Sequence, residues 1–281
     1  KSSFSLQNLN IGSINTTPSA IYFSTIDKGV YEFRNPINGL KPLEIKGNDF
    51  NFRNVDCNSV ILDPLDAEEI LWIGSWNSGL YKYRMATKSI ELFSVDDGLP
   101  DHKIITLGKD GKGDIWLGMD GYGIVLLEEK VTPKFKQFAQ QQSSVNTVQS
   151  NTVFTFYLDK EKRFWFSNSN SGIGEIKPNG KSYQFIQYAD QNIYPWLYPI
   201  QISADKNGLF WIQAQDGTML FDPNSKVFIH LNKSEGIYPP ANINTYNFYL
   251  TDHDVIWCTE NGLIKGELPI YHSDKSPEIN V

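Results

Sequence analysis

One hairpin-like stretch recurs six times along this chain, and nothing else in the sequence narrows the possible folds as far. Ile70–Tyr83, ILWIGSWNSGLYKY, sets two short runs, Leu71–Ser75 and Leu80–Tyr83, on either side of a tight Asn-Ser-Gly turn. Apolar and small or polar residues alternate in both runs, the period-two pattern of a half-buried strand pair. The same arrangement begins at Ile21 (IYFSTIDKGVYEF), Ile115 (IWLGMDGYGIVLL), Phe164 (FWFSNSNSGIGEI), Phe210 (FWIQAQDGTMLF) and Ile256 (IWCTENGLIKG). Its anchor aromatics are Tyr22, Trp72, Trp116, Trp165, Trp211 and Trp257, spaced 50, 44, 49, 46 and 46 residues apart. A fixed period of this length, filled with strands, describes an array of small sheets.

Each repeat can be written as four strands, A to D. In the third they fall at Lys103–Leu107, Ile115–Gly118, Ile124–Leu127 and Lys134–Phe138. The other D strands are expected at Pro42–Ile45, Ile90–Ser94, Tyr183–Gln187 and Val227–Leu231; the sixth repeat has A, B and C at Ile243–Leu250, Val255–Cys258 and Leu263–Lys265, with no clear D. Ser3–Gln7 alternates correctly and is the candidate to close the sixth sheet as its outer strand, since closure removes open edges. The expected fold is an all-β β-propeller of six four-stranded blades over residues 1–266, followed by an exit segment at 267–281, with no helix of note.

Aspartates stand six residues before the anchor in four repeats: Asp66, Asp110, Asp159 and Asp205. Short turns such as DGKG suit a tight A–B connection, because Gly accepts positive φ and Asp bonds its own backbone. These aspartates are therefore read as turn formers. The anchor Trp residues are read as core, filling the space between adjacent blades. Cys57 and Cys258 fall in repeats two and six, too far apart in a ring to meet disulfide geometry, and are expected as free buried thiols.

The formal net charge of −7, without a Lys/Arg cluster, argues against nucleic acid and anionic membrane as partners. No apolar run reaches the ~18 residues needed to span a bilayer, and KSSFSLQNLN carries no signal-peptide pattern, so an exported protein would be represented here by a mature or excised piece.

DGKGDIWLGMDGYGIVLLE, preceded by DDGLPDHKIITLGK with its Leu99-Pro100 opening, resembles the two-component regulator propeller repeat. Leu71-Trp72-Ile73-Gly74-Ser75 and Gly79-Leu80 match that repeat's central signature; the match is specific in repeats two and three, fair in four and five, and degenerate in one and six. The resemblance implies the periplasmic sensory region of a bacterial hybrid histidine kinase, where such repeats commonly serve detection of carbohydrate breakdown products. It also implies a ring of seven blades. Six repeats are recognisable, so a seven-bladed ring and a part of a larger propeller remain alternatives.

A search for catalytic constellations is mostly negative. His102, His230, His253 and His272 lack paired metal spacing, and neither a GxSxG elbow nor a dinucleotide loop occurs. Loop positions are more informative, because burial is not needed there to hold a sheet. The B–C turns and D–A loops emerge on one face of a propeller. There the candidate ligand-binding residues are Trp76, Asn77, Asp120, Tyr122, Asn168, Tyr194, Trp196, Gln215, Asp216 and Tyr238, with Tyr198 and Glu260 close by. Aromatic planes among amides and acids suit a polar, hydroxylated ligand. The expectation is a non-enzymatic, periplasmic or extracellular sensor domain that binds a small polar ligand such as an oligosaccharide. It needs no cofactor or metal, does not insert into a membrane, and would dimerise through neighbouring domains. A propeller enzyme (lyase or glycosidase) and a protein-interaction platform are the alternatives, since the fold hosts all three.

Overall fold

The computed structural model describes residues 9–17, 19–34, 39–46, 55–65, 68–140, 148–169, 171–188, 199–214, 217–230, 245–259 and 262–267. Six antiparallel sheets follow one another along the sequence, the blades of a β-propeller fold class. Blade 1 is β1 (Ile11–Thr16), β2 (Ile21–Thr25), β3 (Gly29–Phe33) and β4 (Leu40–Pro42). Blade 2 is β5 (Cys57–Leu65), β6 (Glu68–Ser75), β7 (Leu80–Arg84) and β8 (Ser89–Phe93). Blade 3 is β9 (Ile104–Lys109), β10 (Ile115–Met119), β11 (Ile124–Glu129) and β12 (Lys134–Phe138). Blade 4 is β13 (Val153–Leu158), β14 (Phe164–Asn168), β15 (Gly172–Asn179) and β16 (Ser182–Tyr188). Blade 5 is β17 (Pro199–Ala204), β18 (Phe210–Ala214), β19 (Gly217–Asp222) and β20 (Val227–His230). Blade 6 has three strands among the described residues, β21 (Thr245–Leu250), β22 (Asp254–Thr259) and β23 (Gly262–Glu267).

These strands agree with the sequence reading to within a few residues, with one clear shift. The outer strand of blade 1 is β4, not Pro42–Ile45, because Leu40 and Pro42 pair with Phe33 and Tyr31. Among the described residues there is no α-helix; a single 3-10 turn, Val95–Asp97, follows β8. The closing strand expected at Ser3–Gln7, the exit segment, and the turn residue Asp66 lie outside the described residues.

The chain divides into two compact units, residues 1–199 and 200–281. In the first, the core repeats from blade to blade. Trp72 is fully buried and clusters with Ile104, Leu107, Ile115 and Leu117 of blade 3. Trp116 does the same with Val153, Phe164 and Phe166 of blade 4, its ring centroid lying 4.7 Å from Tyr183 in an edge contact. The anchor is thus the wedge between one blade and the next, and Tyr22 and Trp165 are buried to the same degree. Inner strands are also tied side chain to backbone: Val60 N donates to Ser13 Oγ at 2.9 Å and Leu107 N to Ser59 Oγ at 3.0 Å. In the second unit Trp211 is equally buried, and Gln201 accepts from Phe248 N and donates to Phe248 O, both at 2.9 Å.

Candidate ligand face

The two ends of each blade use their side chains differently. At the A–B end, the aspartates six residues before the anchor close the turn. Asp110 Oδ1 accepts from the backbone of Lys112 (2.9 Å) and Asp114 (3.0 Å), while its Oδ2 accepts the indole N–H of Trp116 at 3.1 Å. Asp159 accepts from Arg163 N (2.7 Å), Trp165 Nε1 (3.0 Å) and Arg163 Nε (2.6 Å). Among the described residues Asp205 makes only the turn bonds, accepting from Asn207 N (2.9 Å) and Leu209 N (3.0 Å), and the indole nitrogens of Trp211 and Trp72 have no hydrogen-bond partner. The turn-former reading holds for these three aspartates, and a buried carboxylate used this way is structural.

The same end holds a buried cationic tie between blades 2 and 3. Lys82, opposite Trp72 in the β6–β7 pair, is buried and donates to Lys130 O at 2.6 Å. Lys130 Nζ pairs with buried Asp63 at 2.8 Å and donates to Gly113 O at 2.6 Å. Lys82 is tolerated at a core position because its ammonium meets the carbonyl oxygens of Lys130 and Val131, while Lys130 meets the Asp63 carboxylate.

At the opposite end, the first residue of the B–C turn bonds the residue leading into strand A of the same blade. The bonds are Ile26 N to Asn10 O (2.8 Å), Trp76 N to Asp56 O (2.9 Å), Asp120 N to Lys103 O (3.1 Å) and Ser169 N to Thr152 O (2.9 Å). Turns and D–A loops therefore share this end in four successive blades. Gly79 and Gly123 complete two of the turns at φ of 107° and 80°; a Cβ there would sit 2.4 and 2.3 Å from the carbonyls of Phe93 and Phe138. Only glycine fits.

The sequence-selected residues divide sharply. Trp76 and Tyr122 are exposed, 40% and 37%. Asn77 is exposed, but its carbonyl accepts from the Ser75 (2.9 Å) and Ser78 (3.0 Å) hydroxyls, and its amide donates to Asp56 at 3.3 Å. It shapes the turn. Asp120 accepts from the Thr152 hydroxyl at 3.0 Å, a strut to the next blade. Asn168 is a correction: it ends strand β14, fully buried, with its amide paired to Gln187, so it does not reach the surface. A strand-end position with its side chain turned inward looks like a turn residue in sequence. Tyr194, Trp196, Gln215, Asp216 and Tyr238, with Tyr198 and Glu260, lie outside the described residues. Sequence reasoning missed Asp101, whose carboxylate accepts from Lys103 N at 3.0 Å and hydrogen-bonds the Tyr122 hydroxyl, holding that phenol above its usual range. It also missed Asp56 and the exposed Ile26 and Val95. No motif marks them; only their contacts do. Cys57 is buried, and burial pushes its thiol well above the usual range, in accord with an inert core cysteine. The side chain of Cys258 lies outside the described residues.

No family model matches the chain. A histidine kinase, P4, of Formosa agariphila is 24% identical over 198 residues, 68% of this chain and 14% of the kinase. Among solved structures, the extracellular domain of a putative hybrid two-component system from B. thetaiotaomicron superposes with a TM-score of 0.67 at 19% identity, over 94% of this chain and 34% of that one. The chain thus resembles a histidine kinase in sequence and the extracellular domain of a hybrid two-component system in fold. A gluconolactonase of Xanthomonas campestris also matches, at TM-score 0.56 and 12% identity over 89% of this chain and 82% of the enzyme. The chain therefore spans a seventh of the kinase and a third of the solved extracellular domain, and no described helix is long and apolar enough to cross a membrane.

Proposed function

We propose that this chain is a non-enzymatic, periplasmic or extracellular sensory domain of a two-component signalling protein, and that it binds a polar ligand, an oligosaccharide, at the B–C turn end of its blades. The observation that carries the reading is the joint likeness, in sequence to a histidine kinase and in fold to the extracellular part of a hybrid two-component system. The ligand class is supported by Trp76 and Tyr122, whose exposed rings can cover the apolar faces of sugars while nearby carboxylates and carbonyls accept from hydroxyls. A glycan screen read by thermal shift tests this: a stabilising oligosaccharide released unchanged is the expected result.

The gluconolactonase likeness favours a second reading, a propeller enzyme. The two separate on turnover. Conversion of a lactone or glycan by the purified chain would move the assignment to enzymes, whereas binding without conversion supports the sensor.

A further inference from the structure

The B–C turns of blades 1, 2 and 3 each project one large apolar side chain to solvent: Ile26 at 39%, Trp76 at 40% and Tyr122 at 37% exposure, with Val95 at 47% in the loop between the second and third. These turns are contiguous. Gly29 N bonds Val55 O at 3.2 Å while Trp76 N bonds Asp56 O, so the first two turns meet at one lead-in. Leu99 packs with Leu80 and Ile104, and the next loop residue but one, Asp101, holds Tyr122, which joins the second turn to the third. The polar groups of the turns are largely turned inward. Thr25 Oγ1 donates to Gly29 O at 2.7 Å, and the amide of Asn77 is consumed by Ser75, Ser78 and Asp56.

The charge beside this apolar row is predominantly negative. Asp27, Asp56, Asp96, Asp97, Asp101 and Asp120 stand in these turns and lead-ins, against Lys28 and Lys103, with His102 between. Four of the carboxylates are positioned by neutral donors and so keep their charge unneutralised by them: Asp56 by Asn77, Asp97 by Ser94 N at 2.8 Å, Asp101 by Lys103 N and Tyr122, and Asp120 by Thr152. Such a surface offers rings to stack on and anionic acceptors, and it repels anions.

Resting on the glycan-binding reading above, we infer that this three-blade row takes a linear, amino-bearing oligosaccharide, its sugar faces on Trp76 and Tyr122 and its ammonium groups against the aspartates. The row explains linearity, since one apolar contact recurs per blade. The charge explains the amino group, since a ligand that carries only hydroxyls leaves the excess of carboxylates without a counter-charge.

The test is calorimetry on the full chain with a glucosamine hexamer, its fully N-acetylated counterpart, a neutral cello-hexamer and hexalysine. The glucosamine hexamer should bind at least about tenfold tighter than the others, and weaken as salt rises. Trp76→Ala with Tyr122→Ala should abolish that binding with an unchanged melting temperature, and Asp56→Asn with Asp101→Asn should erase the preference over the acetylated form. An acetylated or neutral hexamer binding as tightly would overturn the cationic selection and leave the glycan reading standing. Failure of every glycan, there and in the wider screen, would remove the glycan reading itself. Hexalysine binding equally well would show that charge alone is read, and binding indifferent to the Trp76 and Tyr122 variants would place the site elsewhere.

Discussion

The two ends of blades 2 and 3 are built from similar residue types and put them to opposite use. At the A–B and C–D end, charge is inside: Lys82, Asp63 and the carboxylate of Asp110 are drawn into contacts between strands, turns and the next blade. At the B–C end, large aromatic and aliphatic groups are outside, on turns whose backbone is tied to the strand lead-ins. Burying charge costs free energy unless every group is met, so the first end is a joint that must be complete. Exposing an indole forgoes burial that a core would reward, so the second end is where a ligand can recover it. In a repeat fold the same turn chemistry serves both ends, and only the direction of the side chains distinguishes a joint from a docking surface.

Several substitutions sharpen or break this contrast. The largest effect is expected at a buried anchor: Trp165→Ala should cost ~4 kcal/mol, seen as a lower denaturation midpoint. A loss near zero would remove the anchor aromatics from the core account. Next comes the buried tie. Lys130→Met strands the Asp63 carboxylate and should cost about 3 kcal/mol, with Lys130→Met/Asp63→Leu recovering part of it in a double-mutant cycle. Additive losses would mean that the pair is not coupled. Smaller still is the difference between turn aspartates. Asp110→Ala should destabilise by about 1 kcal/mol more than Asp205→Ala, because Asp110, unlike Asp205, also holds an indole N–H. Equal costs would reduce both to turn formers alone. Least of all, Trp76→Ala with Tyr122→Ala should shift stability by no more than about 0.5 kcal/mol, the range for exposed positions, while removing ligand binding. A large shift there would make the B–C end another joint.

Much of this architecture is legible in the chain's own periodicity. The anchors Tyr22, Trp72, Trp116, Trp165 and Trp211, the strand pairs around them, and the Asp-rich turns follow from spacing and alternation, because each blade is stabilised locally and strand periodicity is a property of the chain itself. The candidate face is legible only as loop aromatics. Sequence reasoning misplaces Asn168 because a residue at the last position of a strand differs from a turn residue by the direction of one Cα–Cβ bond, and local sequence does not record that direction. Asp101 goes unmarked because its significance is a contact with Tyr122, twenty-one positions away.

Period, strand type and the identity of the wedge are thus determined by the sequence alone, since they depend on interactions within one repeat and on the hydrophobicity of single positions. Tertiary structure decided the rest: which carboxylate caps an indole, which lysine is swallowed between blades, and which aromatic rings stay in water. Those outcomes depend on what the next blade presents across the gap, and that geometry exists only once strands far apart in the chain have packed together.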